Sequence, residues 1–273
     1  MGILKITLFV ASWFIFCAKE QVSYVQGGGA DTSGLRVLTY NIHHANPPSK
    51  PDYIDVDAIT KVINQQQADL VALQEIDVHT TRSGVTLHES EYIAAKTGMF
   101  SYFAKSIDYG GGGYGIAILS KYPITAMKKF ALPTIESTKG EPRILATAEI
   151  TLPGNKKILF ACTHLDALRT DSNRVMQINK ILEILKPEKL PVILAGDLNA
   201  DPGSSTIGIL DSHFTRTCIT ADCPFTIPQD KPRKTIDFIS FAPKEKFTVL
   251  LHKAIDEKYA SDHLPVFAIL KLK

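Results

Sequence analysis

Of 273 residues, 45% are hydrophobic and 21% charged, the make-up of a chain that folds and not of a disordered one. With 30 basic against 28 acidic side chains the formal net charge is +2, so no whole-protein field gathers nucleic acid, and obligate DNA binding is not written in the charge. The length suits one large α/β-type domain or two small ones.

Lys5 precedes an apolar run, 6–17, too short for a comfortable membrane span and the right length for a signal-peptide core. Residues 1–17 are therefore set aside as a signal peptide. Cys17 ends the run as the lipidated Cys of a bacterial lipoprotein signal would, although Phe16 is bulkier than such signals prefer, and both forms of export stay open. Gln26-Gly27-Gly28-Gly29 and the following small polar residues make 18–34 a flexible tether. The expected location is periplasmic, outer-surface or extracellular, with membrane attachment only through a lipid on Cys17.

From residue 35 onward β-rich runs alternate with helical patterns, and no second linker or repeat interrupts them, which predicts one domain over 35–273. Strands are expected at 35–42, 69–76, 100–107, 115–120, 144–151, 157–164, 192–197, 235–241, 247–251 and 264–272. One helix carries Ile59, Val62 and Ile63. Another carries Val175, Ile178, Ile181, Leu182 and Leu185, and ends before Pro187. Each has a single apolar stripe, so each should cover a sheet.

Asn41, Glu75, His164, Asp197, Asn199 and His263 all fall at or just past the end of a β-like run, where neighbouring strands would bring them to one rim. In Gly196-Asp197-Leu198-Asn199 a strand apolar on both faces delivers an acid and then an amide, their side chains expected to point the same way. An Asp/Asn turn is the plain alternative. Glu75 follows buried sequence, where a carboxylate is costly without a cation or donors, though alone it reads as a solvated rim residue. Asp262 and His263 are adjacent and point oppositely on an extended chain, so Asp237, an acid inside an apolar run, is the better partner for the imidazole.

Arg143, after Glu141-Pro142, suits phosphate oxygens, and Tyr114 follows the glycine run 110–113. That run lacks the Lys and Ser/Thr of a Walker loop and is expected to be a mobile substrate-side loop. Cys162 reads as inert core, and Cys218 with Cys223 as a disulfide sooner than a metal site.

The ordered motifs YNIHHA, LQEID, YGIAILSKYPI, EPR, THLDA, GDLNADP, TIDFISF and SDHLPV resemble the endonuclease/exonuclease/phosphatase superfamily, from about Leu35 to the C-terminus. Its members include pancreatic-type deoxyribonuclease, abasic-site endonucleases, neutral sphingomyelinases and inositol-polyphosphate 5-phosphatases. The resemblance implies an α+β fold: a four-layer α/β/β/α sandwich of two mixed sheets packed face to face with helices outside.

It also implies Glu75 as the principal ligand of Mg²⁺ or Mn²⁺, helped by Asn41 and Asp262. Asp197, with Asn199, would orient or deprotonate the attacking water. His263, paired with Asp237, would stabilise phosphorane-like charge or protonate the leaving oxygen. His164 would be a second phosphate-side imidazole, Arg143 would bind phosphate and Tyr114 would contact substrate.

His43, sharing the face of Asn41 on an extended chain, stands where many relatives carry Asp or Gln near the metal. It would favour Mn²⁺ or touch substrate phosphate, while His44, pointing away, is assigned a structural role. The implied protein is a monomeric, exported phosphoesterase, a phosphodiesterase before a monoesterase, acting on a small sugar-phosphate or lipid-headgroup diester. A DNA or RNA nuclease would want basic side chains at the cleft, for which Arg82, Arg169, Arg174, Lys105 and Lys121 are candidates. A non-catalytic surface binding module is the reading from another class.

Overall fold

Alternation along the strands builds the core. In β1 (Leu35–Asn41) Val37 faces one apolar cluster and Leu38 and Tyr40 face another, as a period of two requires. In β8 (Val192–Asp197) Ile193 and Ala195 face the cluster that receives Val37, whereas Val192 and Leu194 face a third. Three apolar layers separate four layers of structure.

The computed structural model describes residues 1–2, 34–219 and 223–273. The expected signal segment and tether lie outside the described residues, apart from residues 1, 2 and 34. Everything from residue 34 onward belongs to one unit.

The remaining strands are β2 (Leu70–Val78), β3 (Phe100–Tyr109), β4 (Gly112–Ser120), β5 (Ile124–Ala131), β6 (Ile144–Leu152), β7 (Lys156–His164), β9 (Thr215–Arg216), β10 (Asp237–Ala242), β11 (Phe247–Ala254) and β12 (Val266–Leu272). They form two six-stranded sheets, ordered β11-β12-β1-β2-β4-β3 and β5-β6-β7-β8-β10-β9. Both are mixed, because β1 runs parallel to β2 and β7 parallel to β8 while the other ladders are antiparallel. Their facing sides share the cluster of Val37, Ala72, Ile118, Ala148, Phe160 and Ala195.

The helices cover the outer faces. α1 (Val56–Gln66), capped by Asp55 accepting from Ala58 N, lays Ile59, Val62 and Ile63 on the outer side of the first sheet. α3 (Ser172–Leu185) does the same on the second sheet with Ile178, Ile181, Leu182 and Leu185. The expected fold class is therefore the observed one.

The structure adds α2 (Glu89–Thr97), α4 (Ser205–Asp211), β5 and β9 to the expected elements. α2 has no clean apolar stripe, and its first turn buries Glu89 and Ser90. β5 is an edge strand with mostly exposed side chains, so alternation has little to mark it. The glycine run is not a free loop. Gly110 and Gly111, at φ 53° and 80°, make the tight turn of the β3–β4 hairpin, and Tyr109 already pairs with Gly112 across it. Cys218 and Cys223 form the expected disulfide, and Cys162 is buried and free.

At Gly196 an added Cβ would overlap the Thr163 carbonyl oxygen of the paired strand β7. Gly196→Ala should lower stability by about 1–3 kcal/mol in urea unfolding. Gly208→Ala, in α4 with open space around it, should leave stability unchanged or raise it by about 0.5–1 kcal/mol. Equal midpoints for both variants would contradict this packing.

Candidate active site

The alternation that fills the core also aims polar residues at its mouth. Asn41 continues the inward parity of Val37, and His164 that of Phe160 and Cys162. Asp197 continues that of Ile193 and Ala195, and Asp237 that of Ile239 and Phe241. Register then brings them together, since His164 pairs with Asp197 in β7–β8 and Asp237 pairs with Asp197 in β8–β10.

Glu75 needs a different device. Gln74 pairs with Ile116 and Ile76 with Gly115, which leaves Glu75 as the extra residue of a bulge, at φ 60°. The bulge keeps Ile76 in the outer core and lets the carboxylate meet Asn41 Nδ2.

Asn41 Nδ2 donates to Glu75 Oε1 at 3.0 Å and to Asp197 Oδ2 at 3.1 Å, joining the two sheets. Its Oδ1 accepts from His43 N, so Asn41 meets the carboxylates as a donor. Asp197 Oδ1 accepts from Asn199 N at 2.8 Å. The chain has left the strand there with Asn199 at φ 47°, so the side chains of Asp197 and Asn199 do not run together as alternation predicts. Asn199 Nδ2 is tied to Leu165 O, and this residue orients Asp197 through its backbone.

Two imidazoles flank Asp197 Oδ2, His164 Nε2 at 3.5 Å and His263 Nε2 at 3.8 Å. They carry different charge. His263 Nδ1 donates to Asp237 Oδ2 at 2.9 Å; burial alone would lower its pKa, but Asp237 and then Asp197 and Asp262 push it up to about 10. His164 Nδ1 lies 3.1 Å from Arg143 Nη1, which only donates, so the ring proton sits on Nε2, facing Asp197. Burial and the Arg143 charge hold His164 well below its ordinary pKa, in the neutral form. Burial, with Asp237 beside it, raises Asp197 against the pull of His263 and the bonds from Asn199 and Asn41.

Arg143 is 7% exposed and pairs with Glu141 at 2.8 Å, while its Nε is buried with no partner. A donor left over in this way is suited to a substrate oxygen. Tyr114, also buried, lies within electrostatic reach of Glu75, Glu141 and Arg143. The turn bearing Asp262 and His263 is held against the end of β1 by Ser261 Oγ, which donates to Asn41 O at 2.7 Å. Asp262 is half-buried there, its backbone O accepting from Gln229 N.

His44, expected to point away, comes to Glu75, with its ring 4.5 Å from that of His43. His43, His44 and Ala45 all have positive φ, so the chain turns immediately after Ile42 and extended-strand alternation does not apply. His43 Nδ1 is taken by Asn46 O at 2.9 Å, whereas His44 Nδ1 approaches Glu75 Oε2 to 3.9 Å. The missed site residue is thus His44. The doubled His after an apolar strand was its only trace in the sequence.

Asp197, Asp237 and His263 each offer an atom within 4.8 Å of the others, close enough to hold a cation. However, Asp237 Oδ2 is already bonded to His263 Nδ1, and a protonated imidazole has no lone pair to give. Glu75 fits better. Burial opposes its ionisation, yet His44, His164 and Asn41 outweigh that and hold the carboxyl well below the usual carboxylate range. Among the described residues its Oε2 is approached by His44 Nδ1 at 3.9 Å, and oxygen donors of this kind suit a hard divalent cation.

In the metal-free protein His263 should remain protonated and His164 neutral, with its proton on Nε2, from pH 5 to 8. Long-range ¹H–¹⁵N correlation spectra report both states. Titration of His164 within that range, or an Nδ1 proton on it, would contradict the Arg143 contact.

The family model described as Endonuclease/Exonuclease/phosphatase family matches residues 38–263. No curated protein matches this sequence. Among solved structures, an endonuclease/exonuclease/phosphatase family protein from Bacteroides thetaiotaomicron superposes with TM-score 0.74 at 20% identity, over 88% of this chain and 98% of that one. A mannosyl-6-phosphatase from B. thetaiotaomicron VPI-5482 does so with TM-score 0.69 at 21% identity, over 87% and 99%. The human Nocturnin catalytic domain with bound sulfate anion gives TM-score 0.67 at 19% identity, over 88% and 95%. At such identities these structures speak for the fold, while the family match takes in nearly all the motifs that form the site. The chain belongs to the endonuclease/exonuclease/phosphatase family, whose members are metal-dependent phosphoester hydrolases.

Proposed function

We propose that this phosphoesterase is an exported phosphodiesterase that hydrolyses a small sugar-phosphate or lipid-headgroup diester by direct attack of water, working as a monomer with Mg²⁺ or Mn²⁺. The observation that carries the reading is Asp197 Oδ2 set between a neutral and a protonated imidazole, beside an Arg with an unpartnered Nε. Export rests on the apolar N-terminal run ending at Cys17.

Asp197 is placed to take the proton of the attacking water, its oxygens steered by Asn199 N and Asn41 Nδ2. His164 donates from Nε2 toward the same carboxylate and keeps it in place. His263, kept protonated by Asp237, is placed to give its Nε2 proton to the leaving alcohol oxygen. Arg143 Nε and the Tyr114 hydroxyl hold phosphoryl oxygens. Glu75, with Asp262 beside the same strand end and Asn41 behind it, would hold the cation, which when bound neutralises the phosphoryl group as a Lewis acid.

A diester is favoured over a monoester by charge. The two cations of the site are already countered, Arg143 by Glu141 and His263 by Asp237, which suits a singly charged phosphate better than a doubly charged one. The likeness to a mannosyl-6-phosphatase supports a monoester instead.

For a nuclease, most of the expected basic side chains are already committed. Arg82 is bound to Asp77, Arg174 to Asp171, Lys105 to Asp108 and Lys121 to Asp69. What favours nucleic acid is the exposed trio Lys231, Arg233 and Lys234, on the turn whose Gln229 N–H bonds Asp262 O.

Purified protein with Mg²⁺ or Mn²⁺ should cleave bis-p-nitrophenyl phosphate, and EDTA should abolish that turnover. Asp197→Asn or His263→Ala should each lose about 10²–10⁴ in kcat. Wild type no faster than these variants would count against the mechanism and for a binding module. Plasmid DNA, sphingomyelin, glycerophosphodiesters and inositol phosphates compared under one metal decide the substrate class, and faster cleavage of DNA than of the small diesters would replace this reading with the nuclease.

A further inference from the structure

Beyond the phosphate seat, the β2 end carries a second construction that hydrolysis itself does not use. Asp77 is fully buried, pairs with Tyr114 in the β2–β4 ladder, and sits two residues past Glu75. It accepts from Thr80 Oγ1 at 2.8 Å, Ser83 Oγ at 2.6 Å, Arg82 Nε at 3.0 Å and Arg82 Nη2 at 2.8 Å. Thr80 and Ser83 already fix the loop to Asp77, so the two-pronged grip on Arg82 fixes the direction of the guanidinium as well.

That group lies over Tyr109, 4.4 Å from the ring centre, and 5.7 Å from the centre of Tyr114. The loop is clamped to the β3–β4 turn by Thr81 N donating to Gly110 O at 2.8 Å. It is also held by the absence of a side chain at Gly112, where a Cβ would overlap the Val78 carbonyl oxygen. Tyr114 lies within electrostatic reach of both Glu75 and Arg82, and so links the Glu75 end of the site to the Arg82–Tyr109 pair.

The chemistry of this pair selects its ligand. Asp77 cancels the charge of Arg82, which leaves oriented N–H donors in place of a strong field for a second phosphate. Arg82 covers one face of Tyr109, yet the residue is still 41% exposed, which leaves aromatic surface for a ligand. Directed donors beside an open aromatic face suit the hydroxyls and C–H face of a saturated, hydroxylated six-membered ring.

We propose that Arg82 and Tyr109 form a specificity subsite for a hydroxylated ring in the alcohol part of the substrate. The proposal deepens the small-diester reading above and rests on it.

Calorimetry on the Asp197→Asn protein with Mg²⁺ tests it without turnover, using glycerophosphoinositol and diethyl phosphate as the ring-bearing and ringless probes. The ring-bearing diester should bind more tightly. Tyr109→Ala, an exposed substitution, and Arg82→Lys, which keeps the cation and loses the fork, should each cut that preference about tenfold. No preference in the parent, or a preference that survives both substitutions, overturns the subsite. Failure of the underlying reading shows separately, as wild-type protein that does not turn over bis-p-nitrophenyl phosphate.

Discussion

One amide holds the site together. Asn41 Nδ2 reaches Glu75 in its own sheet and Asp197 in the other, so the distance between a half-buried and a buried carboxylate is set by a single side chain standing between them. Two carboxylates at the mouth of an apolar sandwich repel each other, and the one on Asp197 is shut off from the water that would screen it. A donor shared by both relieves that cost and also fixes how the sheets meet at this edge. Ser261 Oγ on the Asn41 carbonyl then brings the turn of Asp262 and His263 to the same place.

Around this joint the protein distributes charge by geometry. The β8–β10 register sets Asp237 directly opposite Asp197, a like-charge pairing that the protonated His263 between the carboxylates relieves. Arg143 has the opposite effect on His164, because its donor group occupies Nδ1 and its charge discourages a second proton. Two residues of one type thereby carry different charge at one carboxylate. Further out, Asp77 neutralises Arg82 and fixes its direction.

Much of this was legible from strand ends. Asn41, His164, Asp197 and Asp237 share an inward parity with Val37, Phe160, Ala195 and Ile239, and the same alternation that marked the strands marked the site. The pairing of His263 with Asp237 instead of Asp262 also followed, since neighbours on an extended chain diverge. Alternation failed where the backbone leaves the extended region. Positive φ at His43 and His44 brought His44 to Glu75, the bulge at Glu75 turned its carboxylate by a route no pattern records, and positive φ at Asn199 made its backbone the donor. The weakly patterned α2 and the exposed edge strand β5 were lost for the related reason that they bury too little on one face.

By itself the sequence determined the layers, because strands that alternate and helices with one apolar stripe have few ways to bury both, and it determined which residue types stand at the strand ends. Only the tertiary structure decided which of those ends meet, which imidazole holds a proton, and that Arg82 is bound to Asp77 and stacked on Tyr109 instead of reaching freely into solvent. Contacts between residues far apart in the chain set these outcomes, Asn41 with Asp197 above all, and the energy of such a contact belongs to the pair in space and not to either residue's neighbours in sequence.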